Sequence, residues 1–382
     1  MLIRIDSSVI NNENQSSLAQ DTVTALELLA LTRREGKHIL IGDRNTLQKI
    51  SKCTDLSKST REIYQKLLDK YEYFKLYLSA VTKYIEVTNS CTEPQLFNYS
   101  GKQVIKVPPK FFNDSVKIQP TILLCENNND ATFYEIIAKV YCVWNNIPVI
   151  LKYSPRGAGG STIGDEYTRI QQARENICLC IADSDRIAPN GEIGGTAKII
   201  KDDPKYLLRE SIILDLHEIE NLIPKSILDN LCSANNSYRQ KSLAILEAIE
   251  TSSVKDLQKF LDIKNGTRLE KIVRAKNSDI KDYWKERLPE IPDISNRIDS
   301  WCHNNWSCSK KEKEQKEKKE KCINCPISFG FGDNILEDAI NELNQKEPKH
   351  IANIIDKDMR QEWEKVGEVI LNWCCATSPI RG

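Results

Sequence analysis

The sequence predicts an α/β fold with a parallel sheet at its centre, and three observations predict it. Four short apolar runs, TILLC (121–125), IPVILKY (147–153), ICLCIAD (177–183) and SIILDL (211–216), alternate with helical stretches, the pattern of strands covered on both faces. Acids stand directly after three of these runs. A length of 382 residues exceeds what one core usually holds. The expected layout is an N-terminal accessory domain over 1–115, an α/β core over 116–235 and a mainly helical C-terminal extension over 236–382.

Taken in order, Leu2, Ile3 and Ile5 predict a first strand. Val23, Leu26, Leu29 and Ala30 share one face of a helix over Thr22–Arg34, which Gly36 ends. HILIG (38–42) reads as a buried strand, followed by a helix near Arg44–Ser51. Ser59 caps one long helix through EIYQKLLDKYEYFKLYLSAV. The stretch Val87–Gln119, rich in Asn, Pro, Gly and Ser, reads as a domain junction. In the core, FYEIIAKVYCVW (133–144) is apolar almost all round, the mark of a buried helix. The loop SPRGAGGSTIGDE leads to a helix near Glu166–Glu175. Beyond Ile219 the pattern is helical, interrupted by a block over 310–321 that carries seven Lys and four Glu and reads as a solvated segment.

Composition narrows the function. Lys+Arg and Asp+Glu are both 54, so no global positive field exists to hold nucleic acid by counterion release. Hydrophobic residues make up 40% and charged residues 28%, an ordinary globular mixture. The N-terminus lacks the layout of a signal peptide, and no run is long and apolar enough to span a bilayer. Thirteen Cys, most of them isolated in apolar contexts, read as buried thiols in a reducing, cytoplasmic setting.

The strand-terminal acids are the informative feature. Glu126 follows TILLC; Asp183 and Asp185, in IADSDR, follow ICLCI; Glu218 and Glu220, in HEIENLI, follow SIILDL. Loops outside the carboxyl ends of strands in an open α/β sheet share one crevice, so three carboxylate sets separated in sequence converge. Such crowding calls for a divalent cation, and Mg²⁺ or Mn²⁺ suits carboxylate oxygens. Each acid taken singly also fits a helix cap or a solvated loop.

The runs ILLCENNNDATFYEIIA, IADSDR and HEIENLI resemble the Toprim fold of nucleases and topoisomerases, in particular the Toprim branch of the overcoming-lysogenization-defect nucleases and related anti-phage defence nucleases. The resemblance covers about 116–235. It implies a Toprim-like parallel sheet and a metal-dependent nuclease cutting DNA or RNA beside an ABC- or SMC-type ATPase partner. By resemblance Glu126 is the strand-terminal glutamate and Asp183 and Asp185 the aspartate pair. Glu218 or Glu220 is the further acid, and Asp130 the acid of the first helix. We choose Glu220, because the residues after it open a helix and place it near the positive end. Glu126, Asp183, Asp185 and Glu220 are then the catalytic set, and all six acids are candidate Mg²⁺ or Mn²⁺ ligands. The lysine that some relatives carry is absent from SPRGAGGS, which leaves Arg156 or Arg186 for the leaving group. The alternative is a catalytically degenerate Toprim module that only binds a partner or nucleic acid.

Four further features carry weaker signals. The glycines at 157, 159, 160 and 164 match neither phosphate-loop spacing, so an active-site loop is expected there. Cys302, Cys308, Cys322 and Cys325 form C-x₅-C and C-x₂-C pairs. They fit a structural tetrahedral Zn²⁺, with His303 as an alternate ligand, or four unligated thiols. Asp6 and Asp43, with Glu27, permit a minor reading as a PIN-type ribonuclease site. His217 is read as a packing residue rather than a ligand or base.

Overall fold

The computed structural model describes residues 1–10, 17–204, 206–232, 237–291, 294–298, 300–307 and 325–380. It is mixed α/β and rich in parallel strand pairs. The first sheet contains β1 (Leu2–Ile5), β2 (Ile39–Gly42), β3 (Lys83–Val87), β4 (Gln95–Tyr99) and β5 (Lys102–Val107), in the order β2-β1-β3-β5-β4. All its pairs are parallel except the hairpin β4–β5. The second contains β6 (Thr121–Cys125), β8 (Tyr153–Gly157), β9 (Cys178–Ala182) and β10 (Arg209–Ile213), in the order β10-β9-β6-β8. Every pair in it is parallel. Between β6 and β8 lies the short β7 (Ile150–Leu151), which pairs antiparallel with β11 (Cys375–Ala376).

The central strands of the second sheet are apolar throughout because both faces are covered. Leu123 and Cys125 of β6, with Leu179 and Ile181 of β9, pack into one core with Phe133, Tyr134 and Ile137 of the helix Asn128–Trp144. The alternate residues, Ile122 and Leu124 with Cys178 and Cys180, face Ile163, Tyr167 and Ile170 of the helix Ile163–Ala173. Successive side chains of a strand point to opposite faces, so helices on both faces demand an unbroken apolar run.

Several boundaries differ from the sequence expectation, each for a physical reason. The strand expected at IPVILKY is displaced. Its Ile150–Leu151 pairs with β11, while the sheet strand is β8, with sequence YSPRG. An edge strand needs no apolar face and tolerates Pro155, so β8 lacked a hydrophobic signal. The strand expected at SIILDL runs instead over Arg209–Ile213, and Leu214 and Leu216 are buried in the loop beyond it. The expected junction over Val87–Gln119 holds the β4–β5 hairpin, whose turn residues Ser100 and Gly101 have φ of 47° and 77°, as a tight hairpin turn requires. The single helix expected after Ser59 is two, Lys58–Asp69 and Tyr71–Ala80, separated at Lys70 and capped by Ser57.

The C-terminal helix Lys357–Cys374 lies along Asn128–Trp144, beneath the second sheet. Gly367 meets Tyr141 there so closely that an added Cβ would stand 2.5 Å from Tyr141 Cβ. Trp363 Nε1 donates to Leu222 O at 2.9 Å and Trp373 Nε1 to Glu210 Oε2 at 2.8 Å. The Met1 amino group donates to Cys375 O at 2.6 Å, so both ends of the described chain meet in the core. No described helix is long and apolar enough to cross a membrane.

Candidate active site

The second sheet changes direction at β6. Its chain-order neighbour β8 lies on one side, and β9 on the other. This is the switch point at which crossover helices leave to opposite faces and open a crevice at the strand carboxyl ends. Glu126 and Asp183 follow the two strands that flank it.

The loop after β8 fixes Glu126. Gly159 and Gly160, at φ 79° and 65°, turn the backbone so that their N–H groups donate to Glu126 O at 2.9 and 3.2 Å. Gly157 approaches Asn127 and Asn128 so closely that a Cβ would stand 3.1 Å from the Asn128 amide nitrogen. The glycines therefore clasp the chain at Glu126 and cradle no phosphate. Burial raises the Glu126 carboxyl to about 7, and Asp130, Asp185 and Glu220 add to the rise.

Asp130 serves two purposes. Its Oδ2 accepts the Asn127 amide at 3.0 Å, while Asn127 Oδ1 accepts the amides of Asn129 and Asp130. That reciprocal cap starts the helix Asn128–Trp144. Its other oxygen, Oδ1, is buried without a hydrogen-bond partner. Burial raises Asp130 to about 6 against the pull of Asn127.

Asp183 sits at the end of β9, and its carboxyl is raised well above the ordinary aspartate range. Burial is the main cause, followed by Glu126, Glu220 and Asp130. Asp185 is turned into place by a left-handed backbone, φ 55°, and by its amide donating to His217 O at 2.9 Å.

Glu218 and Glu220 divide the work that their sequence left ambiguous. Glu218 caps the short turn Ile219–Leu222 and accepts the Lys264 amide at 2.8 Å. Burial raises it to about 9, with Glu220 and Asp262 contributing. Glu220 is buried and raised by burial first, and it acts electrostatically on both Glu126 and Asp183. Glu126, Asp130, Asp183 and Glu220 are thus mutual neighbours, with Asp185 and Glu218 at their margins.

Neither protein-family models, curated proteins nor solved structures match this chain. Its chemistry is read from the site alone.

Residues beyond the core stretch also reach the crevice. Lys264 lowers Glu126, Asp130 and Glu220 by its charge, and Asp262 lies 3.9 Å from His217 Nε2. Both follow the turn Lys255–Phe260, and nothing in their local sequence marks them.

Asp6 and Asp43, of the minor ribonuclease reading, follow the paired strand ends Ile5 and Gly42 and so share one carboxyl edge of the first sheet, each engaged in a local cap. Asp6 caps Ser7–Val9, accepting the Ser8 amide at 3.0 Å, and Asp43 caps Arg44–Lys52, accepting the Thr46 amide at 2.9 Å. Glu27 instead accepts the Ser57 amide at 2.7 Å. All three acids are spent on caps or turns. Of the four candidate zinc ligands, Cys302 and Cys325 are buried. Cys308 and Cys322 lie outside the described residues, as does the Lys/Glu block.

Carboxylate oxygens are the donors a hard divalent cation takes, but among the described residues the three ligand atoms that come within 4.8 Å of one another are those of His217, Glu218 and Asp262. Asp130 and Glu220 are buried, Glu126 and Asp183 half-buried and Asp185 exposed; burial first raises Glu126, Asp130, Asp183 and Glu220, and one Asp130 oxygen is left without a hydrogen-bond partner.

Proposed function

We propose that this chain is a metal-dependent nuclease of Toprim type that hydrolyses phosphodiester bonds of DNA or RNA. The observation that carries the reading is the convergence of Glu126, Asp130, Asp183 and Glu220 at the switch point of a parallel sheet. Asp183, Asp185 and Glu220, with Asp130 beside them, would hold Mg²⁺ or Mn²⁺. Bound there, the ion would supply neutralisation of the carboxylates and stabilisation of charge on the phosphoryl oxygens. Glu126, raised to about 7, is poised to accept a proton from the attacking water near neutral pH. Arg156 is engaged with Glu166 at 3.0 Å. Arg186, one residue from Asp185, forms no ion pair among the described residues, and we assign it to the phosphate or leaving group.

The chain carries no net charge, and its crevice repels phosphate until a cation is loaded. A partner that delivers substrate fits these facts. With the resemblance noted above, we propose an effector of prokaryotic anti-phage defence working beside an ABC- or SMC-type ATPase.

The test is incubation with supercoiled plasmid, single-stranded DNA and transfer RNA, with and without Mg²⁺ or Mn²⁺ and the candidate ATPase. Metal-dependent cleavage that Asp183→Asn abolishes supports the reading. Metal binding without cleavage of any substrate, with the ATPase present, would leave a degenerate module instead.

A further inference from the structure

We infer that His217, Glu218 and Asp262 form a second cation site at the margin of the carboxylate crevice, one that takes a transition-metal ion such as Mn²⁺, Zn²⁺ or Co²⁺ in preference to Mg²⁺. One donor atom from each residue lies within 4.8 Å of the other two. Two ligands on one ion, at ordinary bond lengths, stand roughly 3–4 Å apart.

The imidazole carries the argument. His217 is 3% exposed, and its Nδ1 lies 2.7 Å from the Arg186 carbonyl. A carbonyl only accepts, so Nδ1 bears the hydrogen and the neutral ring presents Nε2 as a lone pair. Nε2 faces Asp262 Oδ2 at 3.9 Å, beyond hydrogen-bond reach, and makes no hydrogen bond among the described residues. Two electron-rich atoms are thus aimed at one another, and a cation between them satisfies both.

The surroundings hold the donors in place. Asp262 Oδ1 accepts the Asn265 amide at 2.6 Å, and Glu218 Oε1 accepts the Lys264 amide at 2.8 Å. Backbone groups that pin one atom of each ligand and leave another free are the usual support of a metal centre. Lys271 Nζ, 3.8 Å from Asp262 Oδ2, is the competing cation. Its side chain is half exposed, so it can swing away. An imidazole nitrogen in the set favours a transition metal over Mg²⁺. Loading the site would tether the segment after Phe260 to the loop beyond β10, two residues from Glu220.

This site does not depend on the nuclease reading, and its test separates the two. Mn²⁺ is added to the full-length chain and to Asp183→Asn, which disables the carboxylate crevice, and pulsed EPR reads ¹⁴N coupling. Coupling is expected in both and absent from His217→Gln. Asp262→Asn should weaken Mn²⁺ binding tenfold or more by calorimetry. Lys271→Met, which removes the competitor, should tighten Mn²⁺ several-fold. Mn²⁺ binding without nitrogen coupling in the wild-type chain overturns the proposal, as does coupling that persists in His217→Gln. If His217→Gln does not fold, unchanged Mn²⁺ affinity in Asp262→Asn overturns it equally.

Discussion

Gly194 and Asp185 are in contact so close that no side chain fits between them: a Cβ built on Gly194 would overlap Asp185 Oδ2. The Gly194 amide also donates to Ser184 O at 2.8 Å, which ties the start of the helix Gly195–Asp202 to the acidic loop. Asp185 therefore owes its position to a residue nine places further along the chain.

Gly194→Ala should displace the Asp185 carboxylate while leaving the fold intact. A misplacement of about 1 Å costs on the order of 100-fold in rate, so metal-dependent cleavage should fall by about that factor. Circular dichroism should be unchanged. Cleavage at the wild-type rate would show that Asp185 is not needed where the structure holds it.

Asp183→Asn should stabilise the metal-free chain and abolish its response to Mg²⁺. The substitution removes a carboxyl that burial, and then the neighbouring acids, push up, and so removes the cost of ionising it there, for a gain of about 1–2 kcal/mol. Thermal unfolding with and without Mg²⁺ checks both halves: a higher midpoint without metal, and no shift with it.

The metal-free chain should lose stability as pH rises. Asp130 at about 6, Glu126 at about 7 and Glu218 at about 9 all lie above their ordinary values. Their protonated forms are therefore favoured in the folded state. That contribution is full below the unfolded-state values and is lost as pH climbs through 6, 7 and 9. Glu126 alone accounts for a loss on the order of 2–3 kcal/mol. Urea midpoints should fall from about pH 5 to about pH 8, and bound Mg²⁺ or Mn²⁺ should flatten the profile, because the ion favours the ionised acids. A midpoint that rises over this range in the metal-free chain would contradict the burial of these carboxyls.

Gly367→Val should separate the helices Lys357–Cys374 and Asn128–Trp144. Tyr141 occupies the space that a side chain at 367 needs, and overpacking of this kind costs about 1–3 kcal/mol. Denaturant unfolding should report that loss in one cooperative transition, since the C-terminal helix is part of the core beneath the second sheet.

The sequence by itself determined the parallel α/β character and the place of the principal acids. Strands covered on both faces must be apolar throughout, so TILLC and ICLCI announce themselves, and an acid that ends such a run necessarily stands at the carboxyl edge of the sheet. What lay beyond its reach was everything set by contact between distant segments. β8 carries no apolar pattern because it is an edge strand, and only its pairing with β6 identifies it. Nothing local told Glu218 from Glu220. The division between them is fixed in part by the Lys264 amide, 46 residues from Glu218, which donates to the Glu218 carboxylate. Asp262 and Lys264 carry no motif, and enter the crevice because the chain folds back over the loop beyond β10. Local patterns record which residues are buried and where strands end; which buried groups then meet is decided by tertiary packing, since electrostatic and hydrogen-bonding partners are chosen by distance in space and not along the chain.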